Sequence, residues 1–287
     1  MKKLIILIPV FNDWDSLQKL LFEIDDNIKE IKDIILECLV VNDASTIKQP
    51  EIKKPNKIRS LKILNMKNNL GHARCNAFGI RYVIQHEKFD NLIIMDGDGE
   101  DRPVELINLI DEIKKNPNNS VVAKRVKRSE GPFFRFLYFM HKIITYFFTG
   151  EKIYFGNYSC LTKQDIEIIS TKASLWSSYS GTVKKNIKNL SEINSIRGAR
   201  YFGPSKMSLI KLIIHSLCII AVFKHQVILR STFILLVLFF FRTTLGIISP
   251  LVMFLLIIFN FTILLVSLRE KKEALLSSQE NLKDITH

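Results

Sequence analysis

Carboxylates are concentrated in one short segment of the chain, residues 93–103, which reads IIMDGDGEDRP. Asp96 and Asp98 alternate with glycines that let the backbone turn sharply, and Glu100 follows them. Carboxylates this close repel one another unless a cation lies among them. A divalent ion with oxygen ligands, Mg²⁺ or Mn²⁺, is the natural partner and would bridge them to a diphosphate. A solvated acidic turn is the alternative, and the ligand spacing of an EF-hand loop is absent.

Strand-like and helix-like segments alternate before and after this cluster and must position it. Apolar runs predict strands at 4–9, 34–41, 60–65, 91–95 and 120–123, and helical periodicity predicts helices at 14–27, 71–86 and 103–115. That alternation predicts an α/β domain with a parallel, doubly wound sheet. Ligands of such sheets bind beyond the carboxyl ends of the strands. We therefore expect the acidic segment to lie in a ligand site.

Other polar and turn residues end the first two predicted strands or begin a helix, so they belong at the same edge of the sheet. Simple packing at a strand end is an alternative explanation for Pro9 and Phe11. The residues of this group are Pro9, Phe11, Asp13, Asn42, Asp43 and Gly71.

As a set, these motifs resemble those of the family 2 glycosyltransferases over residues 4–130. That family has Pro-x-Tyr-Asn-Glu, Asp-Asp-x-Ser and Asp-x-Asp-x-Gln motifs in this order. Here Asp13 stands at the Glu position, Asn42 at the first Asp and Glu100 at the Gln, and Asn42 weakens the expected nucleobase contact. The resemblance implies a glycosyltransferase A type fold with a Rossmann-like, mostly parallel sheet. It implies a donor-binding set of Pro9, Phe11, Asp13, Asp43, Gly71 and Asp96, and a metal set of Asp96, Asp98 and Glu100 for Mg²⁺ or Mn²⁺.

The second half of the chain resembles the polyprenyl-phosphate branch of that family, which includes dolichyl-phosphate mannose synthase-like and bacterial undecaprenyl-phosphate enzymes. Arg125 follows the last predicted strand, as in the Ser-Arg segment of that branch. Residues 200–208, RYFGPSKMS, resemble its Arg-x-x-Gly-x-Ser-Lys-Tyr-Ser motif. Cationic side chains suit a diphosphate leaving group and a lipid-phosphate acceptor, although a solvated basic face is the alternative. The resemblance implies catalytic roles for Asp98, Arg125, Arg200 and Lys206, and an acceptor-phosphate set of Arg125, Arg135, Arg200 and Lys206.

Asn157 stands where related enzymes often carry an aspartate. A sugar-hydroxyl acceptor needs a general base, whereas a phosphate acceptor is already ionised at neutral pH. Asn157 therefore favours a phosphate acceptor, unless it is only a loop residue.

The last third of the chain is apolar and predicts membrane attachment. Aromatic residues interrupted by cations at 131–149 and 206–229 predict interfacial amphipathic helices. Two apolar runs, 231–249 and 250–268, predict a two-helix transmembrane hairpin that turns at Ser249-Pro250. Basic residues flank both ends, which places both in the cytoplasm. The predicted units are a nucleotide-sugar-binding domain at 1–130, an acceptor region at 131–229, the hairpin at 230–268 and a polar, frayed cytoplasmic tail at 269–287.

Composition limits the alternatives. The chain has 287 residues and a net charge of +13. Beside long apolar runs this charge favours anionic lipid over nucleic acid as a partner, since no nucleic-acid module is present. The four cysteines fit no zinc or redox spacing. The hairpin surfaces suit a homo-oligomer without fixing its number.

These observations predict an enzyme of the inner membrane that moves a sugar from a UDP- or GDP-sugar to a polyprenyl phosphate, with inversion and with a divalent metal. One alternative is a membrane-bound transferase that acts on a glycolipid or polysaccharide hydroxyl. Another is a non-catalytic homologue that binds lipid or a partner protein, against which the intact Asp96 and Asp98 argue.

Overall fold

The computed structural model describes residues 1–127, 132–204 and 208–287, and within these ranges the chain forms one eight-stranded sheet of order β7-β5-β6-β4-β1-β2-β3-β8. β1 pairs in parallel with β2 and β4, β2 with β3, and β5 with β7, whereas β6 and β8 are antiparallel to their neighbours. The predicted mostly parallel α/β sheet is confirmed. The strands are β1 (Lys2–Val10), β2 (Ile34–Asn42), β3 (Ile58–Met66), β4 (Asn91–Ile94), β5 (Ser120–Lys127), β6 (Ser159–Thr162), β7 (Leu190–Ile196) and β8 (Leu282–Thr286).

Helices cover both faces of this sheet because β1 is apolar on both of its faces. Helix α1 buries Leu17, Leu20, Leu21 and Ile24 completely, at the spacing of one helical face. The helices are α1 (Trp14–Asn27), α2 (His72–His86), α3 (Leu106–Lys115), α4 (Pro132–Thr149), α5 (Lys163–Ser170), α6 (Tyr179–Asn186), α7 (Leu209–Ala221), α8 (Lys224–Phe240), α9 (Arg242–Leu245), α10 (Ile248–Ser267) and α11 (Lys272–Leu276). One apolar core holds α1 and α3 residues, and the other holds residues of α2, α5 and α6.

The helices predicted to lie at an interface are present. Helix α4 exposes a row of large apolar side chains, and α7 and α8 meet at an angle of 86°. The bend falls at residues 222–223, so the predicted single element at 206–229 is two helices. The exposed side chains of α4 are Phe136, Phe139, Ile143, Tyr146 and Phe147.

The predicted hairpin turn at Ser249-Pro250 is wrong, because the chain turns earlier. Gly246 has a φ of +54°, which glycine adopts without steric cost, and it ends α9. Pro250 lies in the first turn of α10, where its missing N–H leaves no bond unmade. Among the described residues, the segment Ile248–Leu276 is long and apolar enough to cross a membrane by itself, and α7 with α8 passes the same test as a bent pair.

The C-terminal segment corrects the expectation of a frayed tail. Leu275 of α11 is fully buried in the core of the α/β unit. Strand β8 then pairs with β3 at the edge of the sheet. The chain therefore returns to its first domain after α10.

Candidate active site

The acidic segment lies at the carboxyl edge of the sheet, as predicted. Strand β4 ends at Ile94, and the loop that follows carries Asp96, Asp98, Glu100 and Asp101. This loop is defined here as the acidic loop, residues 95–101. Within it, Gly99 has a φ of +87°.

Asp96 contacts polar side chains from two other parts of the chain. Its Oδ1 lies 3.2 Å from His72 Nε2 and accepts a hydrogen bond from Asn157 Nδ2 at 3.0 Å. Asn157 Nδ2 is also 2.6 Å from His72 Nε2. Burial alone would raise the pKa of Asp96, but the His72 charge and these hydrogen bonds hold it well below its usual value. Asp96 is therefore ionised at neutral pH.

Two other carboxyls of the acidic loop are harder to ionise. Burial, followed by the charges of Asp96 and Glu100, raises the pKa of Asp98 to about 6. Burial and the charge of Asp96 raise the pKa of Asp101 to about 7, and Arg125 opposes this shift. Asp101 also accepts a hydrogen bond from the backbone N–H of Asp96 at 3.0 Å. The loop thus concentrates negative charge that a bound cation would relieve.

Arg200 joins two of the predicted site residues that are far apart in sequence. Its Nη1 lies 2.9 Å from Asp98 Oδ2, and its Nη2 bonds to Asp13 Oδ2. Asp13 in turn accepts a hydrogen bond from Ser16 Oγ at 2.7 Å. The guanidinium therefore lies between the ends of β1 and β4, where a diphosphate would need a cation.

The segment that carries Arg200 crosses the acidic loop and is called the strap, residues 197–202. Arg197 pairs with Glu100, and the N–H of Gly198 donates to the Glu100 carbonyl at 2.8 Å. The N–H of Tyr201 donates to the Asp98 carbonyl at 2.9 Å. A Cβ on Gly99 would lie 2.4 Å from the Tyr201 ring. The strap and the loop therefore fit closely only with glycine at position 99.

The predicted nucleoside-binding residues lie at or just beyond the ends of β1 and β2. Asp43 is 4% exposed, and its two carboxylate oxygens accept hydrogen bonds from the N–H groups of Leu70 and Gly71 at 2.8 and 2.9 Å. Burial raises the pKa of Asp43, and these two bonds act against that shift. Pro9 is buried within β1, whereas Phe11 is 37% exposed beyond its end.

The predicted phosphate-binding cations are found in different places. Arg125 Nη2 lies 3.8 Å from Asp101 Oδ1 and occupies the space beside Gly156, where a Cβ would come within 2.4 Å of it. Arg200 joins the acidic loop as described above. Arg135 is exposed on α4, and Lys206 lies outside the described residues. His72, at the start of α2, contacts Asp96. Arg197 is a neighbour of the loop that sequence analysis did not assign to the site.

The chemistry of the acidic loop fits a divalent metal ion. Asp96 and Asp98 offer the carboxylate oxygens that Mg²⁺ and Mn²⁺ prefer. Burial, and after it the charges of Asp96 and Glu100, raises the pKa of Asp98, and a bound cation would oppose both effects. The carboxylate of Glu100 pairs with Arg197 instead. Among the described residues, no group of three His, Cys, Asp or Glu side chains is already arranged to coordinate an ion. Asp96 and Asp98 are the side chains that would hold one.

The fold and the site define an α/β protein whose candidate ligand site lies at the carboxyl edge of its sheet, where Asp13, Asp98 and Arg200 meet. The chain belongs to Glycosyl transferase family 2, whose profile matches residues 5–173. The predicted membership of this family, and with it the prediction of a glycosyltransferase, is confirmed. No curated protein matches the chain.

Solved structures share the fold at low sequence identity. Glucosyl-3-phosphoglycerate synthase from Mycobacterium tuberculosis, solved with Mn²⁺, UDP-glucose and phosphoglyceric acid, is 13% identical with a TM-score of 0.54, over 79% of this chain and 80% of that one. S. aureus TarS in complex with UDP-GlcNAc is 13% identical with a TM-score of 0.51, over 98% and 92%. Another TarS structure is 15% identical with a TM-score of 0.49, and the match covers 77% of this chain and 65% of that one.

Proposed function

We propose that this protein transfers one sugar from a UDP- or GDP-sugar to a polyprenyl phosphate at the cytoplasmic face of a membrane, with a divalent metal and with inversion. The observation that carries the proposal is the meeting of Asp98, Asp13 and Arg200 at the carboxyl edge of a family 2 fold. Solved structures of similar fold contain UDP-sugars and Mn²⁺. These ligands support a nucleotide-sugar donor for this chain.

The membrane part of the proposal is supported by where the apolar helices begin and end. Phe223, just before α8, is 1% exposed in the α/β core, and Leu275, after α10, is fully buried in the same core. Lys224 Nζ pairs with Glu270 Oε2 at 2.9 Å and joins the two ends of the helix pair. A chain that leaves and returns to one core must cross a bilayer an even number of times. Both ends of a two-span hairpin would then lie on the side of the catalytic domain.

Phosphate binding on the membrane side is supported by Arg125. Its guanidinium lies between Asp101 of the acidic loop and Gly156, in the segment that follows α4. Helix α4 itself exposes large apolar side chains. An interfacial helix of this kind would hold the lipid chain while a cation holds its phosphate. The replacement of a carboxylate by Asn157 agrees with an acceptor that needs no general base.

In the proposed reaction, an acceptor phosphate oxygen attacks the anomeric carbon as the bond from that carbon to the donor diphosphate breaks. No proton moves, because the phosphate is already ionised. A metal bound by Asp96 and Asp98 would neutralise charge on the leaving diphosphate. Arg200 would orient that diphosphate, and Arg125 would hold the acceptor phosphate beside it.

The test is sugar transfer by the purified full chain in detergent. Radiolabelled UDP- and GDP-sugars are offered with undecaprenyl phosphate and Mn²⁺ or Mg²⁺, and Asp98→Ala is run in parallel. A labelled lipid that requires metal and is absent with the variant supports the proposal. Donor binding without a lipid product would redirect it to a hydroxyl acceptor, and no binding of any donor in the panel would favour a non-catalytic homologue.

A further inference from the structure

The C-terminal segment of the chain contacts the loops that hold the nucleoside-binding residues. Strand β8 pairs with β3, and Asn281, just before β8, forms three hydrogen bonds with Asn68. Asn281 Oδ1 accepts from the N–H and from Nδ2 of Asn68, both at 3.1 Å, and its own Nδ2 donates to the Asn68 carbonyl at 3.1 Å. Asn68 begins the loop whose later N–H groups bind Asp43. The loop that binds Asp43 is thus hydrogen-bonded to the segment just before β8.

A second connection runs mainly through the side chains of Asn65 and Asn42. Asn65 Nδ2 donates to Asp284 Oδ1 at 2.5 Å and to Thr286 Oγ1 at 3.0 Å. Asn42 Nδ2 donates to Asn65 Oδ1 at 2.8 Å, and Asn42 Oδ1 accepts from the N–H of Ser45 at 2.9 Å. This row of hydrogen bonds links β8 to the loop after β2.

The row reaches the loop after β1 as well, because Ser45 Oγ accepts from the N–H of Asn12 at 2.9 Å. Asn12 lies between Phe11 and Asp13, and its φ of +53° is one that side chains other than glycine adopt at a cost. The loops after β1 and β2, which are predicted to hold the nucleoside, are therefore hydrogen-bonded to each other through Ser45. Asn65 connects them to β8.

Asp284 at one end of the row and the Ser45 N–H at the other fix which group donates in each of these hydrogen bonds. An ionised Asp284 can only accept, so Asn65 must turn its amide N–H₂ toward it. The Asn65 carbonyl oxygen then faces Asn42, which must donate, and the Asn42 oxygen is left for the Ser45 N–H. With an aspartate at position 42, Asn65 would lie between two carboxylates, the new one and that of Asp284. Its amide has one donor group and one acceptor oxygen. If the N–H₂ group donates to one carboxylate, the oxygen faces the other, which is repulsive.

We propose that Asp284 is a positioning residue for the nucleoside end of the donor site, and that the residues at positions 42 and 284 are matched to each other. The inference rests on the proposed nucleotide-sugar function. It accounts for the asparagine at position 42, which departs from the aspartate of the resembling motif. Asp284 acts through Asn65 and Asn42 and touches no substrate itself.

The test is a double-variant cycle on the full chain in detergent, with UDP and GDP in the presence of Mn²⁺ as calorimetric probes. Asn42→Asp alone is expected to raise the nucleotide Kd about fivefold, because the half-buried amide oxygen of Asn65 loses its hydrogen-bond donor and faces a carboxylate instead. Asp284→Asn alone is expected to be near neutral, since the carbonyl oxygen of the new amide still accepts from Asn65. The double variant is expected to recover most of the loss. In it, Asn65 can turn over and donate to the carboxylate at position 42 while it accepts from the amide at position 284.

A matched control removes a carboxylate from the same segment without touching Asn65. Glu280→Gln, at an exposed side chain, is expected to leave the Kd unchanged. In the transfer assay, Asn42→Asp is expected to raise the donor KM with little change in kcat, a split that general instability would not give. If Asn42→Asp fails to fold, Asp284→Ala is used as the test variant instead. It is expected to raise the nucleotide Kd only about twofold, because Asn65 loses one acceptor but still donates to Thr286.

Recovery in the double variant supports the matched pair. A single Asn42→Asp protein that binds nucleotide as tightly as the parent, or a double variant no better than the single one, would overturn the inference and leave the proposed function standing. An unfolded Asn42→Asp protein together with an unchanged Kd for Asp284→Ala would overturn it too. A parent chain that binds neither nucleotide would overturn the proposed function and this inference together.

Discussion

Arg200 pairs with two carboxylates of the candidate site, Asp13 after β1 and Asp98 in the acidic loop. Its planar guanidinium contacts Asp98 and Asp13 with separate nitrogens, a geometry that a lysine ammonium cannot reproduce. In the proposed reaction the same group would turn to the donor diphosphate. Arg200 would then exchange carboxylate partners for phosphate partners as the donor binds.

Substitution of Arg200 is expected to lower kcat/KM strongly. Arg200→Ala should reduce sugar transfer by about 100-fold or more, because a cation that stabilises the leaving diphosphate is lost. Arg200→Lys should recover only part of the activity, since it cannot contact two groups with a fork. Arg59→Ala, an exposed arginine on β3, is the matched control and should transfer sugar like the parent. Equal activity of Arg200→Ala and the control in steady-state assays would remove Arg200 from the mechanism.

The acidic loop is expected to make stability depend on pH. The pKa values of Asp98 and Asp101 are raised to about 6 and about 7, above the roughly 3.9 of an unfolded aspartate. The folded protein therefore binds more protons than the unfolded one between pH about 4 and about 7, so the free energy of unfolding falls as pH rises through that window. Asp96, whose pKa is lowered, acts in the opposite sense only below pH about 4.

Thermal melting from pH 5 to pH 8 in the presence of a chelator measures this dependence. The Tm of the parent should fall toward pH 8, and Asp101→Asn should flatten the curve because the titrating carboxyl is gone. Asp111→Asn, on the exposed face of α3, is the control and should keep the slope. A Tm that rises toward pH 8, or an Asp101→Asn slope equal to that of the parent, would contradict the assignment.

Among the elements, the strap depends on close contact with the acidic loop. Gly99→Ala would introduce a Cβ 2.4 Å from the Tyr201 ring, at a φ of +87°. Gly203→Ala has a similar φ of +65° but meets no atom within 4 Å. Both should lose about 1–2 kcal/mol to backbone strain, and only Gly99→Ala should lose donor binding in addition, because the strap is pushed off the loop. Calorimetric Kd values for UDP and GDP separate the two, and equal losses of affinity would contradict the role of the strap.

Helix α10 is the element expected to hold the protein in a membrane. Phe261 lies near its middle and is 62% exposed, whereas Ile247 precedes the helix and is 85% exposed. Phe261→Lys should weaken insertion, since a lysine at the centre of a span costs about 3 kcal/mol, and Ile247→Lys near the turn should cost much less. Alkaline extraction of membranes, followed by immunoblotting, should release more of the Phe261→Lys protein. Equal retention of the two variants would argue against α10 as a span.

Over the whole molecule, the sequence is most informative where a strand is buried on both faces. The apolar runs of β1 and β2 predict their strands to within a few residues. Strands of a parallel sheet that is covered by helices on both faces are apolar along their whole length. Strands β6, β7 and β8 are short or mixed in polarity, and their pairing depends on tertiary contacts rather than on local pattern.

The candidate site follows the same division. Asp96 and Asp98 are recognisable because they are close to one another and to a strand end. Arg197 and Asp284 are not, because their partners lie far along the chain. Asn65 and Asp284, for example, are 219 positions apart. The apolar helices α8 and α10 are visible in the sequence as apolar runs, but their turn lies at Gly246, whose positive φ the runs do not reveal.

The return of the chain to its own sheet joins the apolar helices to the catalytic unit at two points. Val222 and Phe223 enter the core before α8, and α11 and β8 rejoin it after α10. A movement of the helix pair relative to the sheet would therefore act on β3 and on the loops that follow β2 and β3. This connection gives the molecule one continuous path from the apolar helices to the candidate donor site.

The measurement that tests the central claim most directly is mass spectrometry of the lipid recovered after the full chain acts on undecaprenyl phosphate with the donor it binds. The account predicts a product heavier than the acceptor by one sugar residue, linked through the phosphate and released by mild acid. It also predicts that dephosphorylated undecaprenol is not modified. Sugar found on a lipid hydroxyl, or an unmodified lipid phosphate beside a consumed donor, would contradict the account.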